Sequence, residues 1–514
     1  MSRPHVGRLA LALGLAELGG AGPRAFGLAH GLGEKPDLPV PEPFYWAACL
    51  IAIVFTFVVA ALFARARTSE TLYPTYDLLV HRTVRRVLAH PATLLPLRAA
   101  SVFLLLLTIA AGLFGSQTIV ANWTPTFVLV VWWIGTGFVQ VAFGNVWRIV
   151  DPWKAIYDGL VWLGLVRPLV VPPPLRYPPV LGVWPALVLF LGVVWLELIF
   201  PEIARPRTLG WLALGYSVLA LWGMFLIGPT RWLAYCDPFA VFFGYLARLS
   251  PTEVRVTTRE ACRVCALPCR VQPICVDCYD CFARTTQREL NLRYWGSGLL
   301  VGERFGGDRV AFVVLMLSAV TFDGLIRTIF WFDRFDIPKP FDPGLYVLAR
   351  PLLVRRNTLA LILFFLAFLA VYYAVSALVK GLAGTRRSVD DIACRFVVSL
   401  IPIAVVYQLA HYALYFAINS QLLIRLVSDP FGAGWNLFGT RLARLSLAVD
   451  PLVVWNFQIS VIVLGHVLAV YVAHLIALRA FGRPGVAARS QIPMLVLMLA
   501  YTLAGLWLLS TPSI

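Results

Sequence analysis

Six cysteines lie close together near the middle of the chain, at spacings that suit metal ligation. They are Cys262, Cys265, Cys269, Cys275, Cys278 and Cys281. Cys262/Cys265 and Cys278/Cys281 are each separated by two residues, a gap that lets two thiolates turn back onto one ion. The sequence therefore predicts a metal site at these cysteines, and zinc bound by four thiolates is one form of it.

Three of these cysteines also match an iron–sulfur pattern. Cys275, Cys278 and Cys281 follow the two-residue gaps of ferredoxin-type ligands, and Cys269 is available as a fourth. Three disulfides are the alternative if the segment faces an oxidising compartment. Flanking arginines indicate the reducing cytoplasm and stabilise thiolates, so we expect zinc or an iron–sulfur cluster. A loop ordered by metal would also suit docking of a soluble or membrane partner subunit.

Four ionisable residues lie inside strongly apolar segments, where charge is costly and tends to mark functional sites. They are Asp323, His411, His466 and His474. We expect them to form a buried polar site that relays protons, binds a transition metal or, through two facing histidines, ligates haem. The alternative for each histidine is a hydrogen-bonded contact between helices, for which residues such as Tyr412 are available.

The start of the chain resembles a secretory signal peptide over residues 1–29, with basic residues, a short apolar stretch and then small residues. Cleavage after Ala29 would make His30 the mature N-terminus, outside the cell. An N-terminal histidine can chelate copper through its amine and imidazole together, which makes His30 a candidate copper ligand.

The elements that must position these residues are membrane-spanning helices. The 514 residues are 60% hydrophobic and 13% charged, far fewer charges than a soluble fold carries. Apolar runs of about 20 residues match the length needed to cross a hydrocarbon core of about 30 Å. We predict an all-α, polytopic transmembrane helix bundle with short interfacial helices and ten spans, at 44–63, 99–115, 125–143, 179–199, 211–228, 309–328, 358–379, 396–416, 453–478 and 491–510.

The net charge of +17 comes from arginines between apolar runs, which excludes nucleic acid as a partner and indicates loops that face a lipid bilayer. Arginine-rich loops after the first, third and fifth spans predict a multi-pass protein of the bacterial-type inner membrane. Its mature N-terminus would lie outside and its cysteine loop in the cytoplasm. Arginines in 323–357 do not fit this topology, and a missed segment there would invert the last four spans.

Four regions follow from this topology. They are a signal peptide at 1–29, an N-terminal bundle of five spans at 30–230, a cytoplasmic cysteine-rich metal-binding loop at 231–300, and a C-terminal bundle of about five spans at 301–514.

An Asp-Pro-aromatic motif occurs at Asp151, Asp237 and Asp429. Asp is a good N-cap and Pro is tolerated at the first helical position, so each motif predicts the start of a helix on the membrane surface. An internal duplication with a shared functional face is the alternative.

The function that these patterns favour is membrane redox or electron transfer, or metal handling. The first alternative is an ion- or proton-coupled transporter whose cysteine loop is a structural zinc site. The second is a non-catalytic membrane anchor or assembly subunit of a larger complex. The sequence has no phosphate loop, dinucleotide-binding turn or hydrolase motif, so ATP-driven transport and hydrolysis have no support in this chain.

Overall fold

The computed structural model describes residues 41–63, 73–88, 91–165, 174–263, 265, 270–271, 274–301, 305–335, 343–445 and 450–511. The predicted signal peptide, His30 and Cys269 lie outside these residues. The structure is 76% helical, which confirms the predicted fold class.

Within these residues, ten helices are long and apolar enough to span a membrane, and we number them span 1 to span 10. Each overlaps one of the predicted spans. Prolines stand at the first position of spans 4, 5 and 10, where the missing N–H has no intrahelical partner to lose. The spans are Glu42–Leu62, Thr93–Phe114, Trp123–Phe143, Pro179–Leu198, Pro206–Ile227, Gly307–Ile326, Arg350–Ala383, Val389–Leu426, Leu452–Phe481 and Pro484–Ser510.

Short helices lie at the ends of the spans. The Asp-Pro-aromatic motif begins a helix in two of its three occurrences, because Asp151 caps Pro152–Trp162 and Asp237 caps Pro238–Ala247. The prediction for Asp429 was wrong. Its carboxylate accepts the N–H groups of residues 433 and 434 and closes a turn instead of a helix. Other short helices include Arg82–Leu88, Trp147–Val150, Arg259–Arg263, Tyr279–Arg284 and Ile329–Arg334.

The cysteine-rich segment contains a small antiparallel sheet that the sequence analysis missed. Its strands are β1 (Tyr76–Asp77), β2 (Thr252–Val256), β3 (Arg270–Val271), β4 (Ile274–Val276) and β5 (Arg288–Leu292). They lie in the order β1-β5-β2-β4-β3, and every neighbouring pair is antiparallel. We call this sheet, with helices Arg259–Arg263 and Tyr279–Arg284, the cysteine unit.

Contacts with the ends of spans fix the side of the bundle on which the cysteine unit lies, which we call the cysteine face. The Thr252 hydroxyl donates to the carbonyl of Phe143 at the end of span 3, at 2.6 Å. Arg479, near the end of span 9, donates to the carbonyl of Leu300 at 3.1 Å. Strand β1 lies between spans 1 and 2 and pairs with β5, so the connection between these two spans is on the same face.

The opposite ends of the spans meet on a second face, the far face. Backbone N–H groups of Ser116 and Trp123, between spans 2 and 3, donate to the carbonyls of Phe431 and Pro430, after span 8, at 2.8 and 3.0 Å. Because span 8 ends on the far face and span 9 ends on the cysteine face, the described helices alternate without a further crossing between spans 6 and 7. The connection between spans 6 and 7, to which the arginines of 323–357 belong, therefore lies on the far face.

Candidate functional site

Five of the predicted cysteine ligands lie in two overlapping groups. The sulfur atoms of Cys262, Cys275 and Cys281 lie within 4.8 Å of one another. Those of Cys265, Cys278 and Cys281 do so as well. Cys281 therefore belongs to both groups, and the two members of the first Cys-x2-Cys pair belong to different groups.

The strands and turns of the cysteine unit bring these thiols together. Cys275 lies on β4, and Cys278 stands directly before the helix that carries Cys281. Asp277 has a φ of 55°, in the left-handed region that Asp tolerates better than most residues. The Sγ of Cys278 lies 3.7 Å from that of Cys265. Cys275, Cys278 and Cys281 are all at most 5% exposed, so the group is shielded from water.

Because of their burial, these thiols can lose their protons together only if a cation balances the charge. Within the described residues no cysteine forms a disulfide. Burial, and after it the neighbouring Cys278 thiol, raise the pKa of the Cys281 thiol well above its usual range. Several thiolates at this position would therefore need a positive ion to balance them. The cysteine cluster could hold a metal ion.

A buried ion network joins the cysteine unit to the end of the short helix Pro238–Ala247. The Arg293 side chain, fully buried, donates to Glu253 at 2.9 Å and to Asp277 at 3.2 Å. It also donates to the backbone carbonyls of Ser250 at 3.0 Å and Ala247 at 3.2 Å. Ala247 ends a helix, and its carbonyl carries part of the negative end of the helix dipole. These contacts hold the strands that carry the thiol cluster against the end of this helix.

Inside the bundle, Asp323 of span 6 meets His411 of span 8. The His411 Nε2 lies 2.8 Å from Asp323 Oδ2. The same oxygen accepts a hydrogen bond from the Tyr412 hydroxyl at 2.8 Å, and Arg327 donates to Oδ1 at 2.7 Å. Asp323 is only 1% exposed. The carboxylate is therefore satisfied by three different side chains.

Glu197, a residue that the sequence analysis missed, extends this network into span 4. Trp133 Nε1 donates to Glu197 Oε1 at 2.9 Å, and the Tyr412 hydroxyl lies 3.3 Å from the same oxygen. Tyr412 thus stands between Glu197 and Asp323. The signal was a single acid in the apolar run of span 4, the criterion that identified Asp323. We call Glu197, Asp323, Arg327, His411 and Tyr412 the carboxylate network.

The charges of the carboxylate network balance only when it binds one proton. It contains two carboxylates, Glu197 and Asp323, and one guanidinium, that of Arg327. Asp323 is buried near the far-face end of span 6, so an unbalanced charge beside it is costly and the network as a whole favours one additional proton. Hydrogen bonds from Glu197 through Tyr412 and Asp323 to His411 connect the members of the network.

His466 and His474 lie apart from this network, on span 9. The Nδ1 of His466 donates to the carbonyl of Ile462 at 2.8 Å, and Gln491 donates to the Nδ1 of His474 at 2.9 Å. The Nε2 atoms of both histidines are buried and have no hydrogen-bond partner within the described residues. Each histidine ring is therefore held by one hydrogen bond through its Nδ1.

The packing of spans 8 and 9 separates His466 from His411. Gln458 of span 9 donates to the carbonyl of Ala410, which adjoins His411, at 3.0 Å. His466 is eight residues beyond Gln458, or about 12 Å along the helix. The four predicted residues thus divide into the Asp323/His411 pair and two separate histidines, and no pair of facing histidines suits a haem among them.

A cavity of about 660 Å³ lies among spans 2 to 5, with walls that are mostly apolar and aromatic. Its volume is within the range of pockets that bind drug-sized ligands. Trp133 and Glu197 line one part of it, and Pro152, Trp153 and Tyr216 line another. The carboxylate network therefore borders this partly open cavity through Glu197.

Two of the Asp-Pro-aromatic motifs come together beside this cavity. Asp151 and Asp237 each accept two backbone N–H groups through Oδ1, and neither Oδ2 has a hydrogen-bond partner in the part of the chain described here. Both residues are at most 1% exposed. The rings two residues later, Trp153 and Phe239, stack with centroids 6.4 Å apart. Both rings line the cavity.

The Asp151/Asp237 pair makes stability depend on pH. Burial, and then the charge of Asp237, raise the pKa of Asp151 from 3.8 to about 7. Between these values the folded state keeps a proton that the unfolded chain has lost, so stability falls as pH rises from about 4 to 7. Asp151→Asn keeps the capping oxygen and removes the charge. We expect stabilisation at pH 8 by about 1–2 kcal/mol, part of the about 4 kcal/mol equivalent to the shift, and a smaller gain at pH 5.

Thermal unfolding of the detergent-solubilised protein at the two pH values measures this effect. Asp158→Asn, on the same short helix, is the matched control. Asp158 is partly exposed and pairs with Lys154 at 2.7 Å, so its replacement should change the midpoint equally at pH 5 and pH 8. A gain for Asp151→Asn that is the same at both pH values would contradict the raised pKa.

The fold and these sites define the class of the protein as a multi-pass helical membrane protein with a cysteine cluster that could hold a metal ion. No protein-family model matches the chain, and no curated protein or solved structure matches it. Its function has to be argued from its own residues.

Proposed function

We propose that this protein is a proton- or cation-coupled transporter of a bacterial-type inner membrane, and that its cysteine unit is a structural zinc site. The observation that carries the proposal is the chain from Glu197 through Tyr412 and Asp323 to His411, inside the bundle and beside a cavity. Ionisable groups at membrane depth typically mark proton or ion pathways.

The carboxylate network couples proton binding to helix contacts. Asp323 joins span 6 to span 8 through His411, and Glu197 joins span 4 to both through Tyr412. Loss of the bound proton leaves an excess negative charge that weakens these contacts or recruits a cation in its place. The relative stability of two arrangements of these spans would then depend on protonation, which is what coupled transport requires.

The cavity indicates the class of substrate. Its walls contain the rings of Trp132, Trp133, Trp153 and Phe239, and its polar groups include the Glu197 carboxylate. Aromatic faces attract cations, and a carboxylate balances their charge. We therefore infer an apolar or amphiphilic organic molecule, with a cationic form favoured over an anionic one.

The orientation follows from charge and thiol chemistry. The connections on the cysteine face carry the arginine-rich loops after spans 1, 3 and 5, which the positive-inside rule assigns to the cytoplasm. Thiols stay reduced there, which suits metal binding and disfavours disulfides. This orientation places the N-terminal end of span 1 outside.

A redox role is the second candidate, and one observation favours it. Cys275, Cys278 and Cys281, which follow the iron–sulfur spacing, all lie in the thiol cluster. An iron–sulfur centre would give iron, acid-labile sulfide and visible absorbance in protein purified without oxygen. A structural zinc site gives zinc and no colour. Transport is favoured because the buried histidines do not converge on a haem site.

Reconstitution in liposomes tests the proposal. Vesicles loaded with a pH-sensitive dye would be given a membrane potential, with and without lipophilic organic cations outside. We expect proton movement above that of protein-free vesicles, and a change in its rate when a suitable cation is added. The same proton movement in both kinds of vesicle for all cations, together with iron in the purified protein, would replace transport by the redox role.

A further inference from the structure

We propose that the cysteine unit binds two metal ions, preferably zinc, with Cys281 as a ligand shared by both. The starting observation is the division of the thiols into two groups that have only Cys281 in common. The first ion would be held by Cys262, Cys275 and Cys281, and the second by Cys265, Cys278 and Cys281. This inference rests on metal binding by the cysteine unit and is independent of the transport proposal.

The sulfur spacing fits individual ions. A tetrahedral zinc ion with Zn–S bonds of about 2.3 Å places its sulfur ligands about 3.8 Å apart. The Sγ atoms of Cys265 and Cys278 are 3.7 Å apart, which matches one edge of such a tetrahedron. Each group of three thiols then forms one face of a tetrahedron, and the fourth position is left for a further donor such as water.

The division of the first Cys-x2-Cys pair argues against a single ion. In a zinc knuckle both cysteines of such a pair bind the same ion. Here Cys262 is grouped with Cys275, whereas Cys265 is grouped with Cys278. A single ion would bind one group and leave the other pair of thiols without metal.

The charge of the site permits two ions. Three thiolates around one divalent ion have a net charge of −1, and five thiolates around two divalent ions have the same net charge. Although Cys275, Cys278 and Cys281 are buried, the second ion therefore adds no net buried charge. The reaction is balanced when two zinc ions replace the five thiol protons, which are released to the solvent, and no electron is transferred. The bridging Cys281 sulfur uses a second lone pair for the second ion.

The test is the metal content of the full-length protein purified in detergent under reducing conditions. We expect two zinc ions per chain. Cys262→Ser and Cys265→Ser should each lose one ion and keep the other, whereas Cys281→Ser should weaken both. Cys394→Ser is the matched control, because Cys394 lies outside both groups, and it should keep two ions.

Cobalt titration of the metal-free wild-type protein gives a second measurement that does not depend on variants. Two ions joined by a thiolate couple their spins, so the electron paramagnetic resonance signal should rise up to one Co²⁺ per chain and fall as the second binds. One ion per chain with an uncoupled signal would overturn the two-ion site but leave a single metal site intact. Absence of bound metal in the wild type would overturn both.

Discussion

Replacement of Asp323 by Asn is expected to lower proton movement through the reconstituted protein by about a hundredfold, the lower end of what a positioned proton-transfer group contributes. Asn has nearly the same shape but cannot take up or release the proton. It also leaves Arg327 and His411 beside a neutral group, although both contact the carboxylate in the native protein. In the variant, the single remaining carboxylate balances the charge of the single guanidinium. Binding of an additional proton is then no longer favoured. Dye-loaded proteoliposomes measure the rate.

The control for this variant is Asp333→Asn. Asp333 is exposed and belongs to the short helix after span 6, so its replacement tests the loss of an acid near the same face without touching the network. Helix content by circular dichroism and elution as a single species show whether each variant is folded. If folded Asp323→Asn moves protons at the wild-type rate, the relay is wrong and an anchor or assembly role becomes the better interpretation.

The spans were predictable because each is a local property of the sequence. An uninterrupted apolar run of sufficient length, bounded by Pro, Arg or Gly, forms a helix in lipid whatever its neighbours are. This explains why the predicted run 309–328 and the observed span Gly307–Ile326 nearly coincide. The length of Arg350–Ala383 was underestimated, because its first turns contain arginines and were assigned to a connection.

The small sheet was not predictable by the same reasoning. Its strands are two to five residues long, and several contain charged residues that resemble a solvated loop. Strand β1 lies more than 200 residues before its partner β5, and their pairing is seen only in the structure, where Tyr76 is in register with Leu292 and Asp77 with Asn291. The spacing of the cysteines identified the ligands, but their division into two groups depends on how the sheet folds.

The polar sites show the same limit. Single acids in apolar runs could be found one at a time, and Asp323 was found in this way. The contacts among Glu197, Asp323 and Tyr412 depend on the packing of three spans that are distant in sequence. The shared motif at Asp151 and Asp237 predicted two helix starts but not that their carboxylates lie close enough for one to raise the pKa of the other.

The second large effect concerns the buried ion pair between Arg293 and Glu253 in the cysteine unit. Arg293→Met is expected to destabilise the unit by about 3–5 kcal/mol, because it leaves the fully buried Glu253 side chain without one of its two counterions. Glu253 also contacts Arg255 and the Tyr73 hydroxyl, so part of its charge stays compensated and the lower half of this range is expected. Hydrogen exchange of the β2 and β5 peptides, followed by mass spectrometry, should show protection reduced by about two to three orders of magnitude.

A matched control and a double variant separate loss of charge balance from loss of packing. Arg288→Met, on strand β5 directly before Arg293, removes a hydrogen bond from its side chain to the carbonyl of Phe282 at 2.9 Å and should cost about 1 kcal/mol. Arg293→Met/Glu253→Leu removes both members of this ion pair, so part of the protection lost in the single variant should return. Recovery is incomplete because the buried Arg255 loses its ion pair with Glu253. If the double variant is less stable than Arg293→Met alone, the cost of the single variant comes from lost packing of the side chains and not from an unbalanced charge. The remaining carboxylate of Asp277 does not prevent recovery, because its side chain is 37% exposed and can be solvated by water.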